Sequence, residues 1–425
     1  MRIFYGKYDN LDEVAAGASF YYYEMSKLLS QKNDYGIETI PIEQKELISA
    51  DFLSNLKEDD VLIPNIGPYA WFFYYIRSKK KLRFRIIHDV QTALFADHLL
   101  QEQLCSEFMR DGDVVLFLSQ YQKYLYMNLF SDSLNNSNTF VCNPLLNFLP
   151  TPKAKIKDKD NTFTLGWFGR VFDAKNFGQA LEIFMKFYKQ QSNARMLVCG
   201  LADEKYAPKN VEKILQKNNV PVSNYQHINN GKFVEHSKML DLLQEADVLL
   251  FPSVGNMESF GRVMLEANHF NVKVIAAKHG AAQELIPESN LLDVDYYYNK
   301  SIDLNSNQSM GQISIDKALE LLQNKDTLKI GDNSYYKNHD KKLFDITLNK
   351  QPKDNLNVSK EVKDFVSRVN LFINPDFYED KHSLLEKSSS MLMQSLSNGF
   401  DIVKTSLAIR ENVNYKPYMM IVSKT

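Results

Sequence analysis

Two acidic residues stand out in the stretch FPSVGNMESFGRVMLEANHF, residues 251–270. An apolar run ends at Phe251, a loop follows, and a helix is predicted from about residue 259, with Glu258 at its mouth and Glu266 two turns further along. A carboxylate on an otherwise apolar helix face is unfavourable unless a polar group contacts it. Two of them, separated by about 12 Å along the helix axis, could hold both ends of a long polar ligand.

The predicted helix start between these acids indicates an anion site. The free amides of Ser259, Phe260 and Gly261, together with the positive end of the helix dipole, would bind a phosphate, and Gly261 would let it approach the backbone. We therefore expect a nucleotide-sugar, with sugar hydroxyls on Glu258, the diphosphate on the amides and ribose hydroxyls on Glu266. The alternative is that both acids face solvent on an amphipathic helix.

A basic loop upstream would complete this site. The sequence GRVFDAKN places Gly169, Arg170 and Lys175 directly after the predicted strand 163–168. A diphosphate leaving group needs positive charge, which an arginine and a lysine could supply without a metal. Taken alone, this loop could also be a basic surface turn that caps a helix.

Alternating strands and helices must position these residues. Short strand-like runs alternate with helix-period segments over residues 2–142 and again over 163–277, which is typical of parallel sheets covered on both faces. We predict an α/β fold of two Rossmann-like, doubly wound domains facing a central cleft, with a C-terminal helical extension. Ligands of such sheets bind at the carboxyl ends of the strands, so the cleft is the expected site.

The domain boundaries follow from changes in composition. Residues 149–161 are polar, charged and without periodicity, which predicts a linker. The division is then an N-terminal Rossmann-like domain at 1–148, a second one at 162–330, and a mostly helical segment at 331–425.

Bulk composition excludes several classes of protein. The chain has 425 residues and a net charge of −2, so nothing in its overall charge attracts nucleic acid, and no nucleic-acid partner is expected. Its three cysteines match no metal spacing and are expected in the core of a protein of a reducing compartment. No apolar run has the length of a membrane-spanning helix, and no signal peptide follows Met1. A cytoplasmic protein is predicted, with peripheral attachment to the cytosolic face of the inner membrane left open.

Together these segments resemble a known enzyme family. FPSVGNMESFGRVMLEA, VKVIAAKHGAAQELI and the upstream GWFGRVFDAKN are similar to the retaining glycosyltransferases of family 4, which have the GT-B architecture and an E-x7-E motif. The resemblance is strong over 163–290 and only architectural over 1–148. It implies that Glu258 contacts the donor sugar near the reacting carbon, that Glu266 binds the ribose, and that two basic residues, Arg170 and Lys175, bind the diphosphate. It also implies that residues 1–148 form the acceptor-side domain and residues 162–330 the nucleotide-sugar donor domain.

Further expectations depend on this resemblance. Ser259 stands where the family usually has glycine, which would narrow the sugar site. His88, at the end of RIIHDV, would lie near the donor sugar and donate a hydrogen bond to it or to charge developing in the transition state. Gly17 resembles the family's glycine-rich N-terminal loop. The alternatives are a strand-end histidine whose ring is hydrogen-bonded to backbone groups, and a turn glycine. The segment 331–425 is expected to cross back to the N-terminal domain.

The implied reaction moves a hexose-type sugar from a UDP- or GDP-linked donor to an acceptor hydroxyl, with retention of configuration. No catalytic metal and no other cofactor are predicted, since the sequences DGD at 111–113 and DVD at 293–295 are interpreted as turns. The acceptor would be a glycan, a lipid-linked intermediate or a protein, with bacterial surface glycan synthesis as the expected setting. The alternatives are a non-catalytic GT-B partner subunit, or a nucleotide-sugar epimerase or phosphorylase on the same architecture.

The segment YAWFFYYIRSKKKLRFR, residues 69–85, combines aromatic side chains with a run of lysine and arginine. Such a segment could rest on an anionic membrane surface or attract a lipid-diphosphate acceptor. The alternative is that the aromatic residues belong to the core and the basic run to a solvated turn.

Overall fold

The computed structural model describes residues 1–8, 17–152, 162–350, 356–379 and 381–423. The chain divides into two compact units. The first comprises Met1–Asn147, Tyr298–Ser306 and Asn338–Thr425, and the second comprises Phe148–Tyr297 and Asn307–Lys337. Most of the predicted linker, residues 153–161, lies outside the described residues.

A six-stranded parallel sheet forms the centre of the first unit. Its strands are β1 (Arg2–Gly6), β2 (Glu38–Ile42), β3 (Val61–Ile63), β4 (Arg85–Val90), β5 (Val114–Phe117) and β6 (Thr139–Val141), in the order β2-β1-β3-β4-β5-β6. The intervening helices are α1 (Gly17–Ser30), α2 (Gln44–Leu47), α3 (Ala50–Ser54), α4 (Trp71–Lys79), α5 (Ala96–Cys105) and α6 (Gln120–Leu129). The central strands β3 and β5 are apolar and fully buried because helices cover both faces of the sheet, and β4 between them is buried except at its first residue.

The second unit contains another six-stranded parallel sheet. Its strands are β7 (Phe163–Phe168), β8 (Ala194–Cys199), β9 (Tyr225–His227), β10 (Val248–Phe251), β11 (Lys273–Ala277) and β12 (Leu291–Leu292), in the order β12-β11-β10-β7-β8-β9. Its helices are α7 (Phe177–Gln190), α8 (Pro208–Lys217), α9 (His236–Leu243), α10 (Arg262–His269) and α11 (Ala282–Leu285). The apolar stripe of α7 is buried against this sheet, as its 3.6-residue spacing predicts.

Three short strands follow, β13 (Val294–Tyr296), β14 (Ser301–Asp303) and β15 (Gly311–Ile313), and then α12 (Ile315–Gln323). Strands β13 and β15 pair antiparallel in the second unit, whereas β14 lies in the first. The sequence predicts one domain over the whole of 162–330, whereas residues 298–306 lie in the first unit. They belong to that unit because β14 pairs with a strand of the distant C-terminal segment. The local hydrophobic pattern does not indicate this pairing.

The C-terminal segment is largely helical, as predicted, and residues 338–425 belong to the first unit. It consists of α13 (His339–Thr347), α14 (Lys360–Val366), β16 (Val369–Phe372), α15 (Asp376–Glu379), α16 (Lys381–Ser397), α17 (Ile402–Asn412) and β17 (Tyr418–Ile421). Strand β17 lies between β14 and β16 in a small antiparallel sheet.

The two-sheet α/β fold expected from the sequence is thus confirmed. All three cysteines are buried and none forms a disulfide. Among the described residues, no helix combines the length and the apolar character needed to cross a bilayer.

Candidate functional site

The candidate site lies where the strand order of the second sheet reverses. Strands β7 and β10 are neighbours, and the chain continues from β7 to one side of the sheet and from β10 to the other. In doubly wound sheets, ligands bind at the carboxyl ends of the two strands that flank such a reversal. Here these ends carry the loops 169–176 and 252–261, which contain most of the predicted donor-binding residues.

Lys175 and Glu258 meet at this position. Lys175 ends a short 3-10 helix, Asp173–Lys175, and its Nζ lies 2.5 Å from Glu258 Oε2. Ser253 Oγ donates a second hydrogen bond to the same oxygen at 2.8 Å. Glu258 Oε1 accepts no hydrogen bond from the described residues, so it remains able to accept one from a ligand hydroxyl.

The electrostatic surroundings keep Glu258 ionised although it is buried. Burial alone would raise the pKa of its carboxyl, but Lys175, the Ser253 hydroxyl and the nearby His279 ring outweigh that effect and hold the pKa below its ordinary value. Lys175 remains about a quarter exposed, at 24%, and an ammonium group has three donors. It can therefore keep its contact with Glu258 and still bind a phosphate oxygen.

The loop after β11 lies against the backbone of Glu258. Gly280 has φ +60, and a Cβ at this position would lie 3.3 Å from the Glu258 carbonyl oxygen. The neighbouring His279 is buried, and its Nδ1 is 3.1 Å from the hydroxyl of Tyr296. Burial lowers the pKa of His279 to about 4, against the opposing effect of Glu258. A neutral imidazole therefore lies beside the carboxylate at neutral pH.

Helix α10 begins three residues later than predicted, and this corrects the predicted anion site. The helix starts at Arg262, because Gly261 adopts φ +70, a left-handed conformation that ends the loop rather than continuing a helix. Ser259 and Phe260 are buried loop residues, and the Phe260 ring packs edge-on against Tyr336. The amides of residues 259–261 are thus not the first turn of a helix, and Glu258 lies outside it.

Glu266 lies on α10, and its carboxylate is held by two basic side chains. Its Oε1 accepts from Arg262 Nε at 2.7 Å and lies 2.8 Å from His236 Nε2. Glu266 is only 1% exposed, whereas Arg262 and His236 are 17% and 20% exposed. Burial raises the pKa of Glu266, but the two partners outweigh burial and lower it. Glu266 is buried, and its carboxylate already has two protein partners that are themselves partly exposed.

Arg170 and Gly169 occupy the open side of the loop after β7. Arg170 is exposed and forms no hydrogen bond or ion pair with any residue in the described part of the chain. The backbone of Gly169 is in close contact with Gly200, because a Cβ at Gly200 would lie 1.9 Å from the Gly169 carbonyl oxygen. An exposed guanidinium at the carboxyl end of β7 suits the predicted phosphate contact, which stays a prediction.

His88 is enclosed in the core of the first unit. Its Nδ1 is 2.9 Å from the Tyr74 hydroxyl, and its Nε2 is 2.7 Å from Glu102 Oε1. Both ring nitrogens therefore contact buried side chains, whereas the alternative to a catalytic role expected backbone partners. The neighbouring Asp89 is also buried, and burial raises its pKa to about 6.

Gly17 begins α1, and its predicted role stays a prediction because residues 9–16 lie outside the described part of the chain.

The aromatic residues of the segment 69–85 belong to the core. Tyr69 and the five consecutive residues of α4 from Trp71 to Tyr75 are all buried, so these rings cannot contact a membrane surface.

Arg77 is buried as well and forms two 2.6 Å contacts with Asp113, the second acid of the DGD sequence. That motif is therefore a structural turn before β5. Across the described ranges, no three His, Cys, Asp or Glu side chains group as a metal site.

Several residues of the site were not predicted from the sequence. They are Asn176, His236, Ser253, Arg262 and His279. Asn176 had one sequence signal, since an asparagine directly before an amphipathic helix is typical of a turn in the left-handed conformation. The others show only through tertiary contacts.

A family model matches part of the chain that includes these loops. Residues 151–291 match the family model described as glycosyl transferases, group 1, and this range includes both loops. No curated protein sequence matches the chain significantly.

Several solved structures share its fold. HepE from Anabaena, solved with UDP, is 14% identical over 97% of this chain and 100% of its own, with a TM-score of 0.51. Sucrose-phosphate synthase from Thermosynechococcus elongatus is 14% identical over 82% of this chain and 94% of its own, with a TM-score of 0.52. The lipopolysaccharide outer core galactosyltransferase WaaB is 14% identical over 82% of this chain and 100% of its own, with a TM-score of 0.51. At these identities the similarity establishes the fold. The chain has the GT-B fold, and its residues 151–291 are similar to the group 1 glycosyl transferases.

Proposed function

We propose that the protein is a retaining glycosyltransferase that moves a sugar from a nucleoside-diphosphate sugar to an acceptor hydroxyl. The observation that carries this proposal is the Lys175–Glu258 contact at the strand-order reversal, inside the segment similar to group 1 glycosyl transferases. In this proposal Lys175 is the cation for the diphosphate, and the neighbouring Glu258 accepts a hydrogen bond from a sugar hydroxyl through its Oε1. UDP is the first nucleotide to test, because HepE was solved with UDP and, in a second structure, with UDP and glucose.

In the proposed reaction, the bond between the anomeric carbon and a diphosphate oxygen breaks, and its electron pair leaves with the diphosphate. The acceptor oxygen forms the new bond on the same face of the sugar, and its proton passes to a diphosphate oxygen. Lys175 and Arg170 would stabilise the negative charge that develops on the leaving group. The neutral His279 and the ionised Glu258 would orient the sugar. This route needs no metal ion and no separate protein base.

Acceptor and setting extend the proposal further. A glycan or lipid-linked acceptor of bacterial surface polysaccharide synthesis fits the resemblance to family 4. WaaB acts on a lipopolysaccharide outer core, according to its description, and has the same fold.

The decisive experiment is release of nucleoside diphosphate from a panel of UDP- and GDP-sugars. We expect slow hydrolysis of at least one donor, a loss of about 100-fold or more in Glu258→Gln, and no change when EDTA is added. Glu182→Gln is the matched control, because Glu182 is a half-exposed residue of α7 in the same unit and its ion pair is with the neighbouring Lys186 of the same helix. Nuclear magnetic resonance of the product with an acceptor would test retention. A wild-type protein that neither binds nor hydrolyses any donor would contradict the proposal.

A second candidate is a non-catalytic partner subunit. The engagement of the buried Glu266 carboxylate by Arg262 and His236 favours it, because a predicted ligand contact is already occupied by protein groups. Under this function donors would bind without turnover in the presence of any acceptor, and the same panel distinguishes the two cases.

A further inference from the structure

Residues 307–311, here called the brace segment, form hydrogen bonds with the loop that carries Glu258. The amide of Met310 donates to the carbonyl of Val254 at 2.9 Å, and the amide of Asn256 donates to the carbonyl of Gln308 at 3.0 Å. Asn256 Oδ1 accepts in turn from the amide of Gln308 at 2.7 Å. The brace segment thus pairs with this loop through an antiparallel bridge between Gly255 and Ser309.

One buried side chain connects the brace segment to the loop that carries Lys175. Ser309 Oγ donates to Asn176 Oδ1 at 2.7 Å. Asn176 Nδ2 donates to the carbonyl of Pro252 at 3.0 Å and lies 3.3 Å from that of Gly311. Asn176, the residue next to Lys175, therefore contacts both the loop after β10 and the brace segment.

The three segments are packed without spare room. A Cβ added at Gly255 would lie 3.0 Å from both the carbonyl oxygen of Ala174 and Oδ1 of Asn307. The carbonyl on one side of Gly255 belongs to the residue before Lys175, and the side-chain amide on the other side belongs to the brace segment. The loop before Glu258 is therefore held from two directions.

We propose that Asn176 and Ser309 are positioning residues for the donor site. They hold the loops of Lys175 and Glu258 at one separation, so that a single donor can place its diphosphate on the cation and its sugar on the carboxylate. Neither residue needs to touch the donor. The inference rests on the proposed function, and its physical basis is that misplacing a binding group by about 1 Å can lower a rate by about 100-fold.

The test uses Asn176→Gly and Ser309→Ala in the full chain. Asn176 has φ +59, which glycine adopts readily, so Asn176→Gly removes the hydrogen bonds while keeping the backbone conformation. Asn219→Gly is the matched control, because Asn219 is an exposed residue of the second unit with φ +57. Ser309→Thr retains the hydroxyl and is expected to behave like the wild type.

The readouts are the Kd for UDP, the kcat for hydrolysis of the best donor in the panel, and the Tm. We expect kcat to fall about 10-fold in Asn176→Gly and Ser309→Ala while the Kd for UDP changes less than about twofold, because UDP lacks the sugar that Glu258 would contact. A purely structural role would lower the Tm and leave the kcat of the folded protein unchanged. That result in both variants would overturn the inference.

Hydrogen exchange separates this inference from the proposed function. In Asn176→Gly, amide exchange should accelerate in peptides covering both 172–178 and 252–260, and in Asn219→Gly it should not. If no donor is hydrolysed by the wild type, the proposed function fails, and faster exchange in both loops would still support the brace. Unchanged exchange in these peptides would overturn it.

Discussion

The ammonium of Lys175 lies 2.5 Å from the carboxylate of Glu258, although 83 positions separate them in the sequence. The contact joins the carboxyl ends of two neighbouring strands of one sheet. It neutralises a buried carboxylate and, at the same time, leaves one carboxylate oxygen and further ammonium hydrogens for a ligand. We therefore expect this pair to have both a structural and a functional role, and the two can be measured separately.

The contribution of Glu258 to stability should change sign with pH when Lys175 is replaced: it favours the folded state at high pH in the wild type and disfavours it there in Lys175→Met. In the wild type the lowered pKa of Glu258 adds stability above its unfolded pKa, and that stability is lost as the pH falls through the folded value. In Lys175→Met burial dominates and raises this pKa, so the variant should be about 2 kcal/mol less stable at pH 7, and the difference should shrink near pH 4.5.

Urea unfolding at the two pH values checks this expectation. Lys205→Met is the control, because Lys205 pairs with Asp173 on the surface, at 59% and 63% exposure. Removal of this pair should change stability by less than about 1 kcal/mol at either pH. An equal effect of both substitutions would argue against a special role for the buried pair.

Glu266→Gln tests whether the second acid contacts the ribose. We expect the wild type to bind UDP more tightly than 2′-deoxy-UDP, and this preference to disappear in the variant, as measured by isothermal titration calorimetry. The variant should also be about 2 kcal/mol less stable, because Arg262 and His236 lose their carboxylate partner. A stability loss with an unchanged preference would make Glu266 an anchor for these two side chains alone.

His88 is expected to act on stability and not on turnover. Tyr74→Phe removes the hydroxyl next to Nδ1 and should lower the free energy of unfolding by about 1 kcal/mol. His88→Leu should lower it by about 3 kcal/mol, since it also leaves the buried Glu102 carboxylate without this partner. The kcat for donor hydrolysis, corrected for the folded fraction, should stay unchanged in Tyr74→Phe. A large fall in kcat would restore the predicted catalytic role.

Asp89 should limit stability at neutral pH. Its folded pKa of about 6 lies above the unfolded value, so the folded state binds the proton more tightly, and stability falls as the pH rises from about 4 to 6. Asp89→Asn removes this dependence and should stabilise the protein at pH 7.5 by about 2 kcal/mol relative to its effect at pH 4. The amide oxygen can still accept the hydrogen bond from Gln91. The check is the Tm of the wild type and of Asp89→Asn, measured from pH 4 to pH 7.5. If the two Tm values change with pH by the same amount, the expectation is wrong.

Vesicle binding should not depend on the basic run at 79–81. The aromatic rings of the segment are buried, and Lys79 pairs with Glu386. We expect wild type and the Lys79/Lys80/Lys81→Ser variant to co-sediment equally with vesicles containing anionic lipid. Stronger sedimentation of the wild type would reinstate the predicted membrane contact.

The regular elements of both sheets could be predicted because their apolar runs are local. The same holds for the loops of Lys175 and Glu258, since chain order alone places the carboxyl ends of parallel strands at one edge. The start of α10 could not be predicted, because the conformation of Gly261 depends on close contact with Phe251 and Met264. Likewise, nothing in the local sequence shows that Asn176 meets Ser309, which lies 133 positions away.

Strand β17 pairs with β14 on one side and β16 on the other, and the ribosome makes it after both. Until residues 418–421 emerge from the exit tunnel, the two flanking strands therefore lack their shared neighbour. The second unit, by contrast, has its whole sequence synthesised by residue 337. During translation, the second unit can therefore complete its fold while β14 and β16 of the first unit still have open edges, and such edges can pair wrongly until β17 is made.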